Sequence, residues 1–263
     1  MHSIKLSVIV VTYNCEAFLQ KFVDELTCSL KDFSDVELLF IDNNSTDKTI
    51  AILNEYPQLK ITASSVNLGF AKANNVLIRQ AQYNNILLVN PDVFGFTKNF
   101  WLQLFQEWDH LNPLVIKLKN EDGSFQDCVG QVTSIKRMLN SVFKKVDYGK
   151  ITTTTEVEMG IMAFMLITTE CFQAVGLICE DYPIYAEDMD WCYRACKKGY
   201  KIRYHPALSL THIGGGSAIT RWKGNESLKV KYKAERIFIK KHYKGLYRSS
   251  MLLVNSIKLL KEL

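Results

Sequence analysis

The chain has 263 residues, of which 48% are hydrophobic, and this is enough for the core of one large α/β domain, with or without a C-terminal extension. Its seven cysteines form no CxxC pair, which argues against a disulfide framework or a zinc site, and the N-terminal apolar run is too short to span a membrane. The formal net charge of +5 comes without a DNA-binding or RNA-binding motif, so we expect no nucleic-acid partner. From the N-terminal segment we expect a cytoplasmic protein.

Roughly the first ninety residues alternate between strand and helix patterns. Apolar runs without polar alternation, at 6–11 and 86–89, are typical of strands buried on both faces of a parallel sheet. Large apolar residues recur every four positions from Phe18 to Leu30, as on one face of a helix. The pattern predicts a doubly wound, mostly parallel α/β sheet with helices on both faces. We expect strands at 6–11, 36–41, 59–64 and 85–94, and helices at 16–30 and 70–83.

Three of these strands end in short polar runs, at 12–14, 42–44 and 90–92. Because the carboxyl ends of parallel strands meet at one edge of the sheet, where open α/β sheets bind ligands, the three runs predict a binding site. Pro91 has no amide hydrogen and ends regular pairing, which leaves Asp92 at this edge. The chain lacks a GxGxxG fingerprint and a P-loop lysine, so a bound nucleotide would be held by polar side chains and by a metal at Asp92.

The second half of the chain carries an acidic cluster. Glu187, Asp188 and Asp190 open a helix that Gly199 closes. Acidic side chains in a first turn suit the helix dipole, and Asp190 can pair with Arg194 four residues later, so we interpret Asp190 as structural. Glu187 and Asp188 remain as candidates for a general base. Around the cluster we expect helices at 100–108 and 171–175, and strands at 114–118, 123–129, 158–168, 201–204 and 207–211.

His212 stands two residues before a run of three glycines, 214–216. The backbone amides of consecutive glycines can approach phosphate oxygens closely. We therefore interpret His212 as a metal ligand or a phosphate contact. Gly215, Ser217 and Arg221 would form a loop that closes on a diphosphate.

The C-terminal segment is basic and amphipathic. Residues 229–248 contain eight lysines and arginines and one acid, Glu235. This composition suits an anionic membrane surface or a polyanionic partner, and a helix packed back on the domain explains it equally well. Large apolar residues follow at helical spacing, at Leu246, Leu253, Ile257 and Leu260.

Six short motifs occur in order along residues 6–217. They are VTYN at 11–14, DNNSTD at 42–47, NLGFA at 67–71, NPD at 90–92, EDMD at 187–190, and His212 with its glycine loop. Together they resemble the bacterial family 2 glycosyltransferases of the GT-A fold, above all the rhamnosyltransferase-like members that build surface polysaccharides. We therefore divide the chain into a GT-A domain at 1–222, with donor and acceptor halves meeting near residue 100, and a helical extension at 223–263.

The resemblance implies a nucleotide site along the strand ends and the loop that precedes the 70–83 helix. The residues at 12–14 would line the nucleobase pocket, Asp42 would accept a hydrogen bond from a pyrimidine ring, and the residues at 67–71 would lie along the ribose and diphosphate. The implied nucleotide-binding residues are Thr12, Tyr13, Asn14, Asp42, Asn67, Gly69, Ala71 and Asn90.

The resemblance also implies the groups that act in the reaction. Asp92 would bind a divalent metal, Mg²⁺ or Mn²⁺, with His212 as a second metal or diphosphate contact. Asn90 stands where the fuller family motif has a carboxylate, so one fewer negative charge predicts weaker metal binding. Asp188 would be the catalytic base, with Glu187 as the alternative base. One base and one direct displacement predict inversion at the anomeric carbon.

The implied reaction transfers a sugar from a nucleoside diphosphate sugar, dTDP-rhamnose or a UDP-sugar, to a glycan acceptor that is lipid-linked. It would serve O-antigen or capsule synthesis at the inner face of the cell membrane. Two other functions stay open. A nucleotidyltransferase would need a glycine-rich, basic loop after the first strand, where this chain has the sequence TYNC at 12–15. A sugar-nucleotide-binding module would bind without turnover, although the acidic cluster at 187–190 favours an enzyme.

Overall fold

The computed structural model describes residues 4–139, 146–214 and 226–262. These residues form a nine-stranded sheet, a two-stranded sheet and flanking helices. In chain order the strands are β1 (Leu6–Thr12), β2 (Val36–Asp42), β3 (Leu59–Ala63), β4 (Asn85–Val89), β5 (Val93–Phe94), β6 (Leu114–Lys119), β7 (Val129–Gly130), β8 (Thr155–Val157), β9 (Met159–Gly160), β10 (Phe164–Thr168) and β11 (Ile202–His212). The helices are α1 (Glu16–Leu30), α2 (Thr49–Leu53), α3 (Gly69–Gln80), α4 (Lys98–Glu107), α5 (Ile135–Leu139), α6 (Thr169–Val175), α7 (Glu187–Lys197), α8 (Glu226–His242) and α9 (Gly245–Glu262).

The first half of the main sheet is parallel, in the order β3-β2-β1-β4. Residues 86–89 of β4 are all buried, because a central strand flanked by helices presents neither face to water. In the β1–β2 pair, Thr12 lies opposite Asp42, so the polar runs that follow these strands start side by side. The predicted convergence of strand ends at one sheet edge is therefore confirmed.

Beyond β4 the sheet continues in the order β10-β6-β11-β5. Strand β10 is antiparallel to both of its neighbours, and β11 is parallel to β6. The two-residue strand β5 pairs with the end of β11, where Val93 lies opposite His212. This short pairing brings the segment after β4 and the end of β11 to the same edge, although Asp92 and His212 lie 120 positions apart in the chain.

The structure corrects several predicted strands. The segments 201–204 and 207–211 are one continuous strand, β11, whose pairing with β6 shifts register between His205 and Ser209. This shift accommodates Pro206, which has no amide hydrogen for the ladder. The predicted strand at 123–129 is a turn and loop that contribute only a single bridge from Phe125 and the short strand β7.

A second correction concerns the predicted strand at 158–168. It is divided into β9 and β10 by a turn over residues 161–163, which belong to the cavity wall described below. Three predicted helices begin earlier than expected, since α3 starts at Gly69, α4 at Lys98 and α6 at Thr169. In α4 the side chain of Thr97 caps the helix by accepting from the Phe100 amide at 3.0 Å.

The two C-terminal helices pack against the sheet-bearing part of the chain. Ala234 and Phe238 of α8 are fully buried in an apolar cluster with Val132, Tyr182 and Met189. Helix α9 lies on α8 and α5, where Met251 is buried. The predicted domain boundary between 222 and 223 lies outside the described residues. Among the described helices, none combines the length and the apolar character that crossing a bilayer requires.

Candidate active site

A cavity of about 290 Å³ lies at the sheet edge where β1, β2 and β4 end. Residues from both halves of the chain form its wall. Eight of the residues singled out from the sequence line it: Tyr13, Asn67, Gly69, Asn90, Asp92, Glu187, Asp188 and His212. The structure therefore brings the strand-end motifs, the acidic cluster and His212 together around one space.

Four predicted nucleotide contacts lie beside this cavity rather than in its wall. Thr12 and Asp42 are buried, and their side chains bond to neighbouring chain: the Thr12 hydroxyl donates to the Ile41 carbonyl at 3.2 Å, and Asp42 Oδ2 accepts from the Ser45 amide at 3.1 Å. Asn14 is exposed and Ala71 is buried in α3. The loop residues Gly215, Ser217 and Arg221 lie outside the described residues. The roles of all seven stay predictions.

Asn43 is a cavity residue whose role the sequence did not reveal. Its side chain donates to Asn67 Oδ1 at 3.0 Å and accepts from the Leu68 amide at 2.7 Å. These bonds join the end of β2 to the loop that starts α3. Gly69 begins that helix with φ +76°, a backbone conformation that residues with a Cβ rarely adopt.

Asp92 and His212 form a buried pair at the cavity floor. Asp92 Oδ1 lies 3.2 Å from His212 Nε2, and both side chains are less than one-tenth exposed. The side-chain nitrogen Nδ2 of Asn90 lies 3.5 Å from the same imidazole nitrogen. The backbone holds the pair in place, because the Ile213 amide donates to the Asp92 carbonyl at 3.0 Å next to the β5–β11 ladder.

The Asp92–His212 pair fits a divalent cation. In octahedral Mg²⁺ sites with bonds of about 2.1 Å, neighbouring ligand atoms lie about 3 Å apart, and the 3.2 Å between Asp92 Oδ1 and His212 Nε2 is close to this spacing. Within the described residues, no group of three His, Cys, Asp or Glu side chains could hold a metal ion. A cation here would take its remaining ligands from a bound diphosphate or from water.

Glu187 and Asp188 begin α7 and face the same cavity. Glu187 Oε2 is buried without a hydrogen-bond partner in the described part of the chain, whereas Asp188 Oδ1 accepts from the Met189 amide at 2.7 Å. Burial raises the pKa of both carboxyl groups, and repulsion from Asp188 raises the pKa of Glu187 further. Two neighbouring carboxyl groups, one buried and one half-buried, do not ionise together easily. Their negative charge is therefore better accommodated on Asp188, which keeps an amide hydrogen bond.

The turn into α7 is strained. Tyr185 and Ala186 both have left-handed backbones, with φ of 66° and 68°, and each costs about 1 kcal/mol relative to the right-handed conformation because neither is glycine. Strain of this kind collects at functional sites, where the surrounding structure holds it. Here it directs the first turn of α7, and with it Glu187, towards the cavity.

Asp190 anchors α7 from within. Its Oδ2 atom accepts from Arg194 Nε at 2.8 Å, as the spacing of four residues predicted. Its Oδ1 atom accepts from the Tyr182 hydroxyl at 3.0 Å and lies 2.6 Å from Nε2 of His242, at the end of α8. His242 was not identified from the sequence, because nothing near it along the chain marks a partner 52 residues away.

Comparisons with known proteins agree with the motifs. The family model described as "Glycosyl transferase family 2" matches residues 7–164. N-acetylglucosaminyl-diphospho-decaprenol L-rhamnosyltransferase of Mycobacterium tuberculosis is 25% identical over 272 residues, which cover 94% of this chain and 87% of that protein. Rhamnosyltransferase WbbL of Escherichia coli is 23% identical over 220 residues, which cover 78% of this chain and 82% of WbbL.

Solved structures share the fold. The crystal structure of Staphylococcus aureus TarS 1-349 superposes with a TM-score of 0.59 at 21% identity, covering 96% of this chain and 71% of that one. A mannosyltransferase from Pyrobaculum calidifontis, solved with GDP-Man and Mn²⁺, gives a TM-score of 0.65 at 13% identity, covering 98% of this chain and 70% of its own. These neighbours confirm the predicted GT-A fold.

Proposed function

The chain belongs to glycosyl transferase family 2, and from this membership we propose that it transfers a sugar from a nucleoside diphosphate sugar to a lipid-linked glycan acceptor with inversion. One observation carries the proposal: the Asp92–His212 pair and the Glu187–Asp188 pair face the same cavity. The Asp92–His212 pair, which suits a diphosphate, and the Glu187–Asp188 pair, which suits an acceptor hydroxyl, thus line the same cavity. Both are needed when a sugar leaves one oxygen and joins another.

We favour dTDP-rhamnose as the donor over a UDP-sugar. The two relatives named as rhamnosyltransferases align over 94% and 78% of this chain. Poly(ribitol-phosphate) beta-N-acetylglucosaminyltransferase TarS of S. aureus, which has been crystallised with UDP-GlcNAc, is 31% identical over only 45% of it. Tyr13 lines the cavity beside the end of β1, where it can pack on a pyrimidine ring of either donor.

Asp92 and His212 would hold a divalent cation, Mg²⁺ or Mn²⁺, which when bound stabilises negative charge on the diphosphate as a Lewis acid. Asn90 contributes an amide instead of a second carboxylate, so within the described part of the chain Asp92 is the single negative charge beside His212. The diphosphate must therefore provide much of the charge that holds the cation, which makes cation and donor bind together rather than separately.

Asp188 would act as the general base. Its carboxylate faces the cavity and, among the residues described, accepts backbone amide hydrogen and no side-chain bond, so it is free to take a proton from the acceptor hydroxyl as that oxygen attacks the anomeric carbon. Glu187, with the higher pKa of the two, would stay protonated and act as a hydrogen-bond donor. A single base facing the cavity favours one direct displacement, which inverts the anomeric configuration.

The test is release of nucleoside diphosphate by the purified protein with Mg²⁺ or Mn²⁺, a sugar nucleotide and a diphosphate-lipid acceptor. Asp188→Asn should lower kcat by about 10² to 10⁴, whereas Asp181→Asn, an acid-to-amide change at an exposed site, should leave it unchanged. Near-normal turnover by Asp188→Asn, with loss in Glu187→Gln, would move the base to Glu187. Binding of the sugar nucleotide without turnover would favour a binding module, and release of pyrophosphate would favour a nucleotidyltransferase.

We also propose that one face of α9 rests on an anionic membrane, which would place the enzyme at the inner face beside a lipid-linked acceptor. At 3.6 residues per turn, four apolar side chains fall within an arc of roughly 60°. They are exposed, at Leu246 88%, Leu253 63%, Ile257 44% and Leu260 76%. The opposite face is buried through Met251 and Asn255, and exposed Lys244 and Arg248 supply positive charge nearby. An exposed apolar stripe on a helix whose start carries exposed cations suits an anionic lipid surface.

Sedimentation with vesicles of anionic and of zwitterionic lipid tests this face. Wild-type protein should bind the anionic vesicles, with binding that weakens as salt is added. The double variant Leu253→Glu/Leu260→Glu should lose most of this binding, while Leu102→Glu, at an exposed leucine of α4, should keep it. If the double variant binds as well as wild type, α9 does not contact lipid, and sedimentation velocity of both proteins would show whether the stripe instead joins two copies.

A further inference from the structure

The side-chain amide of Gln126 contacts His212 twice. Gln126 Oε1 lies 2.6 Å from His212 Nδ1, and Gln126 Nε2 donates to the backbone carbonyl of His212 at 3.1 Å. Gln126 Nε2 also donates to Asn120 Oδ1 at 3.0 Å. Gln126 is held in turn by the 120–124 turn, in which Asn120 is bonded to Ser124 through both backbone and side chain.

The Gln126 contacts favour a proton on one ring nitrogen of His212, Nδ1, while Asp92 Oδ1, 3.2 Å from Nε2, competes for a proton on the other. Both partners of the Gln126 nitrogen are oxygen acceptors, so that end of the amide must be the NH₂ group. The oxygen end therefore faces His212 Nδ1, and a carbonyl oxygen can only accept. Nδ1 must carry hydrogen to complete the 2.6 Å contact. In the neutral imidazole the lone pair is then on Nε2, the atom that lies 3.2 Å from Asp92 Oδ1.

We propose that Gln126 is a positioning residue that locks neutral His212 in the Nδ1–H tautomer and so presents the Nε2 lone pair to a divalent cation shared with Asp92. The inference rests on the proposed function, because that function places a cation between these two side chains. Without Gln126 the ring could rotate or exchange its proton, and Nε2 would often carry hydrogen and be unable to ligate.

The backbone beside His212 leaves room for this lock. Gly214 has φ +72°, and a Cβ atom added there would lie 3.0 Å from Gln126 Nε2 and 3.9 Å from His212 Nδ1. A side chain at this position would press on the amide that orients the ring. Glycine at 214 therefore leaves the Gln126–His212 contact uncrowded, and its positive φ favours glycine there as well.

The experiment compares Gln126→Met, which keeps the side chain's length but loses both hydrogen-bonding ends, with Gln126→Glu, which keeps an acceptor opposite Nδ1. Gln103→Met, at an exposed glutamine of α4, is the matched control. In metal-free ¹⁵N-labelled protein, above the pH range in which histidine protonates, long-range ¹H–¹⁵N spectra report the tautomer of His212. Wild type, Gln103→Met and Gln126→Glu should show Nδ1–H, and Gln126→Met should show a mixture or the Nε2–H form.

Mn²⁺ titration in the presence of nucleoside diphosphate gives the second readout. Gln126→Met should weaken Mn²⁺ binding by about 10- to 100-fold, as expected when the partner of a metal-binding histidine is removed, and Gln126→Glu should recover much of this loss. An unchanged tautomer and unchanged Mn²⁺ affinity in Gln126→Met would overturn the inference. Wild-type protein that shows Nδ1–H but binds no Mn²⁺ would instead contradict the proposed metal site, so the two failures are distinguishable.

Discussion

At the scale of single residues, Asp190 shows how a site can depend on a side chain that does not line it. Asp190 is fully buried, yet it collects hydrogen bonds from Tyr182, Arg194 and His242. Burial alone would raise the pKa of Asp190, but the bonds from His242 and Arg194 hold that pKa below its usual value. The ionised form is therefore the one that the folded protein stabilises, and it keeps the start of α7 in place.

Replacing Asp190 by asparagine should expose this dependence. A carboxyl group whose pKa is lower in the folded state adds stability above its unfolded pKa, near 4, and loses it as the pH falls through the folded value. We expect Asp190→Asn to lower the free energy of unfolding at pH 7 by about 3 kcal/mol, and to flatten the loss of stability below pH 4. Urea denaturation at several pH values measures both.

Asp181→Asn is the matched control. Asp181 pairs with Lys241, which belongs to α8 as His242 does, but this pair lies on the surface. An exposed pair contributes less than about 1 kcal/mol, so this variant should unfold close to wild type. Equal effects of the two substitutions would mean that the buried network around Asp190 does not hold α7.

At the scale of elements, α8 joins the C-terminal segment to α7, the helix that carries Glu187 and Asp188. Phe238 is fully buried and packs edge-on against Tyr193 of α7, with their ring centres 5.5 Å apart. Its neighbour on the next turn, His242, reaches Asp190. Helix α8 therefore supports α7 through both apolar and polar contacts, while α9 presents its outer face to the surroundings.

Two substitutions by alanine, one in α8 and one in α9, should show how much a buried and an exposed side chain each contribute to stability. Phe238→Ala should destabilise the protein by about 3 kcal/mol or more, because it empties a buried aromatic site. Leu260→Ala, at a side chain that is 76% exposed, should change stability by less than about 0.5 kcal/mol. Urea denaturation midpoints compare the two, and similar shifts would contradict the burial pattern of α8 and α9.

Much of the structure of the first half of the chain could be predicted from the sequence, because the patterns that mark its helices and strands lie within short segments. The predicted 16–30 helix matches α1, and the parallel strand ends meet as expected, since continuous apolar runs admit few other arrangements. The predictions failed where tertiary pairing overrides a local signal, as at Pro206, which lies inside β11 because its ladder shifts register there. Gln126 and His242 could not be found, since their partners lie 86 and 52 residues away.

At the scale of the whole molecule, the cavity lies where parts of the chain that are distant in sequence meet. Its wall combines strand ends from the first hundred residues with the 161–163 turn, the start of α7 and the end of β11. A ligand that fills it contacts all of these segments at once. Ligand binding should therefore stabilise the fold as a unit.

Thermal denaturation with nucleotides measures this coupling. A nucleoside diphosphate at 100 times its Kd adds about 2.7 kcal/mol to the free energy of unfolding and so raises Tm. We expect dTDP or UDP with Mn²⁺ to raise Tm, and removal of the cation with EDTA to reverse much of the rise. The nucleoside monophosphates are the control, because they lack the second phosphate. A monophosphate shift as large as the diphosphate shift would argue against a cation bridging Asp92 and the diphosphate.

The position of β10 limits how proteins of this fold can recombine. Strand β10, residues 164–168, runs between β4 and β6, and all five of its residues pair with β4, the last parallel strand of the predicted donor half. The predicted donor half is thus completed by a strand encoded far downstream, and its side chains must match across the Phe164–Val89 and Leu166–Leu87 pairs. A chimera that exchanges acceptor halves between homologues would inherit a foreign β10. Directed evolution of acceptor preference should therefore fix this strand and vary the loops around it.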